Sequence, residues 1–358
     1  MIISRTPYRI SFFGGGTDYP SWFRTYGGAV LAATIDKYCY LCCRYLPPFF
    51  DFRYRVVYAR TESTTTVDAI EHPAVREVLR FLQIERGLSI QHDGDLPARS
   101  GMGSSSAFTV GLLNALHALM GQIASQQQLA QEAIEVEQER LKETVGCQDQ
   151  IMAAYGGINH ITFLPDSQFL VRPVTLAPER LAELDASLML FYTGVKRTAA
   201  QVAETYVQHL SAKKQQLRVM KALVEEGLSI LTGQRDLKEF GELLHEGWEL
   251  KRSLSNAVSN PRIDAIYEAA RKAGALGGKI TGAGGGGFLL LFVPPEQQPA
   301  VKEALANLIH VPFHFDFSGS RIIYFDPETD YAIVEQERMR QPLTEFEELA
   351  VTTPPQAA

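Results

Sequence analysis

Three consecutive serines follow a glycine-rich turn in the segment DLPARSGMGSSSA, which covers residues 95–107. Farther along, apolar residues recur at helical spacing, so the serines fall in the first turn of a predicted helix: Leu112, Leu113, Leu116, Leu119 and Met120. Unpaired backbone N–H groups and the helix dipole attract anions at that end of a helix, and a phosphate is the natural guest. Because serine and glycine are also favoured at ordinary helix starts, the segment indicates a phosphate site only together with other residues.

A second glycine cluster, GGKITGAGGGG, covers residues 277–287. It contains the spacing G-x-G-x-x-G at Gly282, Gly284 and Gly287, which also occurs in dinucleotide-binding folds. Such folds need a strand before the glycines and a helix after them, whereas residues 288–293 predict a buried strand after them. The cluster therefore predicts a different loop, in which so many glycines indicate close approach of the backbone to another group.

The loop at residues 101–106 matches neither a Walker-type phosphate loop, which ends in Gly-Lys-Ser/Thr, nor the glycine loop of protein kinases. It contains no lysine, so magnesium, the helix terminus and a basic group from elsewhere must neutralise a bound polyphosphate. Such a site therefore requires carboxylates elsewhere in the chain that can bind magnesium.

Two carboxylates follow in suitable positions. Glu137 lies on one helical line with three apolar residues, Ala130, Ile134 and Leu141. It is therefore predicted to face inward, where it needs a cation, a metal or a hydrogen-bond network. Asp149 follows a glycine turn and precedes an apolar run. From the residues alone, simpler explanations are equally good. Glu137 is then a partly exposed glutamate at the edge of the apolar stripe, and Asp149 is a helix N-cap.

A third polar group lies near the N-terminus, in the segment TPYRISFFGGGTDY of residues 6–19. Arg9 falls on a predicted strand, and Asp18 follows three glycines. Asp18 is explained either by an ordinary turn or by recognition of sugar hydroxyls, because a carboxylate accepts two directional hydrogen bonds.

The elements that must position these groups alternate irregularly along the chain. Runs rich in β-forming residues predict strands at residues 2–6, 8–13, 30–35, 38–44, 53–58, 88–92 and 185–192. Helical patterns predict helices from Ser125 to about Glu143 and at residues 198–226, 237–253 and 263–272. This mixture indicates an α/β or α+β protein with a seam between two domains near residues 180–195.

The length of 358 residues exceeds what one compact core usually holds and predicts two domains. The formal net charge is −7 and no block of lysine or arginine is present, so nucleic acid is not an expected partner. No apolar run is long enough to span a bilayer and no signal-like pattern opens the sequence, which predicts a cytoplasmic protein without a membrane partner. Residues 351–358 have the composition of a loose tail, and the sequence leaves open whether the chain forms a homodimer.

In this order, the three segments resemble the three motifs of the GHMP small-molecule kinases, the superfamily of galactose, homoserine, mevalonate and phosphomevalonate kinases. The matching segments are residues 9–19, 97–107 and 279–287. Within the superfamily, other stretches are most similar to the D-glycero-D-manno-heptose 7-phosphate kinases: residues 4–18, 27–28, 34–38 and 145–150. The three motifs together are much more specific than any one of them.

The resemblance implies ATP as the phosphoryl donor and Mg²⁺ as the metal, with Ser105 and Glu137 as its ligands. It implies that Asp149 is the catalytic base and that Arg9 stabilises charge at the transferring phosphoryl group. The residues implied to hold the ATP phosphates are Gly101, Met102, Gly103, Ser104, Ser105 and Ser106.

On the acceptor side, the resemblance implies that Asp18 binds sugar hydroxyls and that the third motif, including Gly284 and Gly285, lies beside the acceptor. Galactokinases carry a Glu-His pair where this chain has Gly15 and Gly16. The missing carboxylate predicts a pocket that admits a larger or phosphorylated sugar.

The superfamily fold implies an N-terminal α/β domain at residues 1–185, a ferredoxin-like C-terminal domain at residues 186–350 and a site in the cleft between them. The implied reaction transfers the γ-phosphate of ATP to the C1 hydroxyl of a heptose 7-phosphate. Arg197, at a predicted junction of loop and helix, is either a candidate for binding the phosphate of the sugar or a solvated surface charge. A galactose or fucose kinase and a catalytically silent sugar-sensing regulator stay open as alternatives. The intact Ser105, Glu137 and Asp149 argue against the regulator.

Overall fold

The computed structural model describes residues 1–98, 100–195, 205, 213–327 and 331–340. Arg197 and the predicted tail at residues 351–358 therefore lie outside the described residues. Within the described ranges, the strands form two separate sheets. The larger sheet has eight strands: β1 (Ile2–Phe13), β2 (Gly28–Tyr45), β3 (Tyr54–Val57), β4 (Thr61–Thr64), β5 (Leu88–Gly94), β6 (Ile158–Phe163), β7 (Phe169–Pro173) and β12 (Arg321–Phe325).

Strands β1 and β2 form the centre of the larger sheet and pair antiparallel along most of their length. Each is one long strand where the sequence predicts two short ones. The break is absorbed as a bulge: Pro7 pairs with Tyr38 and Tyr8 pairs with Ile35, so residues 36–37 have no partners in β1. Strand β2 then pairs with β6 through its first part and with β5 through its last part.

Residues 1–98 and 100–187 contain six α-helices: α1 (Pro20–Tyr26), α2 (Pro73–Phe81), α3 (Ser104–Leu119), α4 (Gln126–Glu135), α5 (Gln148–Tyr155) and α6 (Pro178–Ser187). Helix α3 packs against both β1 and β2. The hydroxyl of Ser4 in β1 donates a hydrogen bond to the carbonyl oxygen of Gly111 at 2.8 Å, and a Cβ atom at Gly111 would lie 2.8 Å from Thr6 Oγ1. Glycine at this position therefore lets α3 lie directly on β1, which fixes the helix end that carries the serines.

The smaller sheet is antiparallel and contains β8 (Leu188–Tyr192), β9 (Gly277–Ile280), β10 (Phe288–Phe292) and β11 (Ile309–His310), in the spatial order β11-β8-β10-β9. The α-helices in the described residues of this half are α7 (Lys214–Thr232), α8 (Lys238–Arg252), α9 (Pro261–Lys272), α10 (Gln298–Ala304) and α11 (Ala332–Met339). Helices lie between β8 and β9 and between β10 and β11, which is the order of a ferredoxin-like fold. No helix in the described ranges is long and apolar enough to cross a bilayer.

The last strand in the described ranges, β12, does not join the smaller sheet. It pairs antiparallel with β1 at the edge of the larger sheet, from Ile2 opposite Phe325 to Arg5 opposite Arg321. The sequence predicts residues 186–350 as one C-terminal domain, and the structure differs at this strand. The physical reason is that the outer edge of β1 offers unpaired backbone N–H and C=O groups, which a strand from any part of the chain can satisfy.

Aromatic side chains join the end of β1 to the helices of the smaller sheet. The ring of Phe240 in α8 lies 5.3 Å from the ring of Phe12 and 5.1 Å from the ring of Phe13. Lys279 of β9 adds a buried hydrogen bond of 2.8 Å from Nζ to the carbonyl oxygen of Phe12. These contacts fix the position of β1, a strand of the larger sheet, relative to the smaller sheet.

The two glycine-rich segments meet backbone to backbone between the sheets. A Cβ atom at Gly282 would lie 2.7 Å from the Cα of Gly101, and one at Gly287 would lie 2.1 Å from the carbonyl oxygen of Ser100. Gly282 and Gly287 also have positive φ angles, of 68° and 90°. Glycine is required at these contacts because any side chain would push the two segments apart.

We expect Gly287→Ala to lower the thermal unfolding midpoint more than Gly121→Ala does. The φ angles are +90° and +75°, so each alanine introduces about 1–2 kcal/mol of backbone strain. At Gly121 the new Cβ meets nothing within 4 Å, whereas at Gly287 it meets a carbonyl oxygen at 2.1 Å, which adds roughly 1–3 kcal/mol. Equal midpoints by circular dichroism would contradict the close contact between the two segments.

Candidate active site

The centre of the site is an ion pair between Arg9 of β1 and Asp149 in the first turn of α5. Arg9 Nε donates to Asp149 Oδ1 and Nη2 donates to Oδ2, both at 2.7 Å. Arg9 Nη1 donates to the carbonyl oxygen of Gly101, also at 2.7 Å. The side chain of Arg9 is 4% exposed and that of Asp149 is 25% exposed, so the carboxylate is the more accessible partner. The structure thus brings together three predicted site residues that are distant in the sequence.

The predicted phosphate loop lies beside this ion pair at the start of α3. Gly103 is the N-cap, and a Cβ atom there would lie 3.2 Å from Arg9 Cγ and 3.4 Å from Asp149 Oδ2. A larger residue at this position would therefore push against the ion pair. The serines at 104–106 form the first turn of the helix, and all three line a cavity together with Arg9 and Asp149. Met102 is buried, and its carbonyl oxygen accepts the N–H of Arg9 at 3.1 Å.

Glu137 is fully buried, which confirms the inward orientation predicted from the sequence. It lies in a π-helical turn, Val136–Arg140, that continues α4. Its Oε2 accepts hydrogen bonds from Ser106 Oγ at 2.9 Å and from Gln150 Nε2, while its Oε1 has no partner within the described residues. Burial, followed by the charge of Glu143, raises the pKa of Glu137 to about 7.

The unpartnered Oε1 of Glu137 is the observation that bears on magnesium. A buried carboxylate oxygen without a donor is costly, and a divalent cation would satisfy it. Ser105 lines the same cavity, so a hydroxyl and a carboxylate oxygen are both available as ligands. The hydroxyl that contacts Glu137 is that of Ser106, not that of Ser105.

The ligand set is small but suits this ion. Across the described ranges, no group of three or more His, Cys, Asp or Glu side chains could hold a metal. Mg²⁺ sites that also use substrate phosphates and water need only one or two carboxylates. Ser105 and Glu137 therefore fit Mg²⁺ bound together with a nucleotide, and they do not form a metal site that is complete without one.

Asp18 lies in the loop after β1 and is buried. Its Oδ1 accepts the N–H of Gly16 at 2.8 Å, and its Oδ2 accepts the N–H of Gln148 at 3.4 Å. Burial raises the pKa of Asp18, although the hydrogen bond from Gly16 opposes the shift. Asp18, Gly16 and Gly15 line the same cavity as Asp149, so the predicted sugar-binding group and the predicted base share one space.

This cavity has a volume of about 270 Å³ and also contains Lys251, a residue that the sequence interpretation misses. Lys251 lies in the last turn of α8 and is buried. Burial, followed by the charge of Arg9, lowers the pKa of Lys251 to about 8. It shares the apolar face of α8 with Phe240, Leu244 and Trp248, which precede it at helical spacing. A lysine on such a face is the signal that could have identified it.

The third motif contributes Gly282 and Ala283 to the cavity. Gly284 and Gly285, for which the sequence predicts roles beside the substrate, are not among the described residues that line it. A Cβ atom at Gly284 would lie 2.7 Å from the carbonyl oxygen of Val258, and the N–H of Gly285 donates to that oxygen at 2.8 Å. Their observed contacts are therefore within the smaller-sheet half of the chain, and their role in substrate binding stays a prediction.

Phosphoryl transfer between small molecules depends on positioning and charge neutralisation. It mainly requires a helix N-terminus that binds phosphates and a positioned carboxylate. The fold and site thus define a small-molecule kinase. The sequence matches the GHMP kinase N-terminal domain at residues 69–157 and the GHMP kinase C-terminal region at residues 219–310. The chain belongs to the GHMP kinases, and it is a phosphotransferase that acts on a sugar.

Similar proteins cover most of the chain. A D-glycero-alpha-D-manno-heptose 7-phosphate kinase from Campylobacter jejuni is 30% identical over 85% of this chain and 93% of its own length. A galactokinase from Pyrococcus furiosus is 26% identical over 85% of this chain and 92% of its own length. The crystal structure of a D-glycero-D-manno-heptose 1-phosphate kinase from Bacteriodes thetaiotaomicron has a TM-score of 0.75 and 25% identity, and the match covers 91% of this chain and 100% of that one.

We expect the metal-free wild type to lose stability as the pH rises, and we expect Glu137→Gln to remove this loss. The pKa of Glu137 rises from 4.5 to about 7 on folding, so between these values the folded state holds a proton that the unfolded state releases. The folded wild type therefore loses stability as pH rises through this window, by up to about 3 kcal/mol.

Urea unfolding with a chelator present, at pH 5 and pH 8, measures this effect. The stability of Glu137→Gln relative to the wild type should increase with pH. Glu139→Gln is the control, because Glu139 lies two positions later and is exposed. A difference that stays constant with pH would contradict the raised pKa of Glu137.

Proposed function

We propose that this protein transfers the γ-phosphoryl group of ATP to the C1 hydroxyl of D-glycero-D-manno-heptose 7-phosphate and forms the 1,7-bisphosphate. The observation that carries the proposal is one cavity lined by the phosphate loop, the Arg9–Asp149 pair and Asp18. Holding donor and acceptor together in such a cavity removes most of the entropic barrier to their reaction. The choice of acceptor is supported by the relative from C. jejuni, which is named for this sugar phosphate.

The acceptor side of the cavity favours a sugar larger than galactose. Gly15 and Gly16 line it without side chains, and the nearest neighbour of a Cβ atom at Gly15 would be Gln148 Nε2 at 3.5 Å. The carboxylate that galactokinases carry in this place would repel a sugar phosphate, so its absence favours a phosphorylated acceptor. The proposal keeps Arg197, outside the described residues, as the group that binds this phosphate.

In the proposed reaction, Asp149 takes the proton of the acceptor hydroxyl as the hydroxyl oxygen attacks the γ-phosphorus. A new O–P bond forms, the bond from the γ-phosphorus to the bridging oxygen breaks, and ADP leaves with the bonding electron pair. Arg9 holds Asp149 through two hydrogen bonds and ties it to Gly101 of the phosphate loop through another. The N–H groups of the first turn of α3 bind the donor phosphates.

Ser105 and Glu137 would hold Mg²⁺ in this proposal, and the ion would neutralise charge on the donor phosphates. Ser106 and Gln150 orient Glu137, because both donate to Oε2 and leave Oε1 available. The expected cytoplasmic location belongs to the same proposal.

We expect heptose 7-phosphate to be the best acceptor in a panel with heptose 1-phosphate, unphosphorylated heptose, galactose and fucose, each with ATP and Mg²⁺. A site built to bind a charged group strongly rejects an analogue without it, so kcat/KM should exceed that for free heptose by at least about 10²-fold. ADP release measures turnover, and phosphorus NMR of the product locates the new phosphate.

The panel also separates the alternatives. A higher kcat/KM for galactose or fucose would contradict the heptose assignment and leave a sugar kinase of different specificity. A new phosphate on C7 would reverse the proposed order of phosphorylation. No turnover with any acceptor, with ATP binding intact by calorimetry, would favour a sugar-sensing protein.

We expect Asp149→Asn to lower kcat by about 10²–10⁴, because an amide cannot accept the proton of the acceptor. Asparagine keeps the size of the side chain and an oxygen that accepts from Arg9, so the fold and ATP binding should be retained. Calorimetry measures the ATP affinity, and ADP release measures kcat. Turnover close to that of the wild type would remove Asp149 from the role of base.

A further inference from the structure

Lys251 is a buried ammonium group at the cavity, and neither the proton transfer to Asp149 nor the binding of the donor phosphates by α3 involves it. It lies on α8, beside the smaller sheet, whereas Arg9 and Asp149 lie on elements of the larger-sheet half of the chain. It is 4% exposed and lines the cavity together with Arg9, Asp18 and Asp149. Burial of an ammonium group costs free energy, so a partner for its charge is expected.

The two aspartates of the cavity do not take up the hydrogen bonds of Lys251. Both oxygens of Asp149 accept from Arg9, and both oxygens of Asp18 accept from backbone N–H groups. Within the described part of the chain, Lys251 Nζ donates one hydrogen bond, to the carbonyl oxygen of Gly282. An ammonium group has three N–H donors, so two are left for a group that enters the cavity.

The hydrogen bond to Gly282 places Lys251 at the junction of the two glycine segments. Gly282 packs directly against Gly101, and the carbonyl oxygen of Gly101 accepts from Arg9. Lys251 and Arg9 therefore bind carbonyl groups of two residues that touch, one from each half of the molecule. This junction lies at the start of the phosphate loop, beside the proposed base.

Arg9 cannot give all of its hydrogen bonds to a phosphoryl group. Three of its five N–H groups, on Nε, Nη1 and Nη2, already donate to the protein, so two are left for three oxygens of a phosphoryl group. A transferring phosphoryl group carries negative charge on three oxygens, and its stabilisation requires donors that are in place before the reaction. A second cation with unused donors beside Arg9 would meet this requirement.

We propose that Lys251 is a further catalytic residue, whose ammonium group binds an oxygen of the phosphoryl group while that group moves from ATP to the acceptor. The inference rests on the proposed kinase reaction and adds to it a group from the smaller-sheet half of the chain. The contact is strongest in the transition state, so it raises kcat more than it lowers KM.

A second buried lysine provides a matched control. Lys279 is 5% exposed, and its Nζ donates to the carbonyl oxygen of Phe12 at 2.8 Å. Lys279 is not among the described residues that line the cavity. Removal of its side-chain nitrogen therefore tests the effect of losing a buried lysine without losing a donor from the cavity.

The experiment compares Lys251→Met, Lys251→Arg and Lys279→Met with the wild type, all as the full chain. Lys251→Met should lower kcat by about 10²–10³, the effect of removing one donor to a transition state. Lys251→Arg keeps the charge and should recover part of that loss. Lys279→Met should lower kcat much less than Lys251→Met does, because it removes no donor from the cavity. The thermal midpoint of Lys251→Met should equal or exceed that of the wild type, because a desolvated charge is removed.

Ligand binding supplies a readout that does not depend on turnover. ADP with Mg²⁺, aluminium fluoride and the acceptor imitates the complex in which the phosphoryl group is in transit. The affinity of Lys251→Met for this mimic should fall at least about tenfold, while its affinity for ADP alone stays unchanged.

A Lys251→Met variant with kcat and affinity for the mimic near those of the wild type would overturn the inference and leave the proposed function standing. A raised KM for the acceptor with unchanged kcat would also overturn it, because Lys251 would then bind the acceptor. A wild type without turnover on any acceptor would remove the proposed function, and the inference with it.

Discussion

The ion pair between Arg9 and Asp149 is the constraint on which the rest of the site depends. It joins strand β1 to helix α5, and the hydrogen bond from Arg9 to Gly101 adds the loop before α3. A bidentate pair permits little rotation of either group, so strand, helix and loop hold one geometry before any ligand binds. Because phosphoryl transfer depends on positioning, this preorganisation is the main contribution that the polypeptide can make.

The site also concentrates charges that a stable core would avoid. Asp18, Glu137 and Lys251 are each 4% exposed or less. Burial is the largest cause of all three pKa shifts: it raises the pKa of both carboxyls and lowers that of the lysine. Apolar side chains of similar volume often stabilise a core as well or better. Such a group of perturbed residues is therefore typical of a site where a charged ligand offsets the cost of desolvation.

Local patterns in the sequence predict which groups face the interior better than they predict which atoms meet. The apolar helical line correctly places Glu137 inside, and the predicted strand after the glycine cluster is present as β10. The same rule, applied to α8, would have singled out Lys251. The contact between Gly285 and Val258 and the pairing of β12 with β1 depend on tertiary packing, so no local spacing encodes them. For the same reason, the sequence indicates that the glycine motifs approach another group but not which glycines do so.

The pairing of β12 with β1 has a consequence for how the protein is made. Residues 2–5 are synthesised long before their partners at residues 321–325, and the whole smaller sheet emerges from the ribosome in between. During that interval the outer edge of β1 is open to pairing with other chains, which is a condition that favours aggregation and chaperone binding. A nascent chain that ends before β12 already contains the residues of the cavity, yet it exposes this edge. The residues of the cavity and the strand that covers this edge are therefore completed at different lengths of the same growing polypeptide.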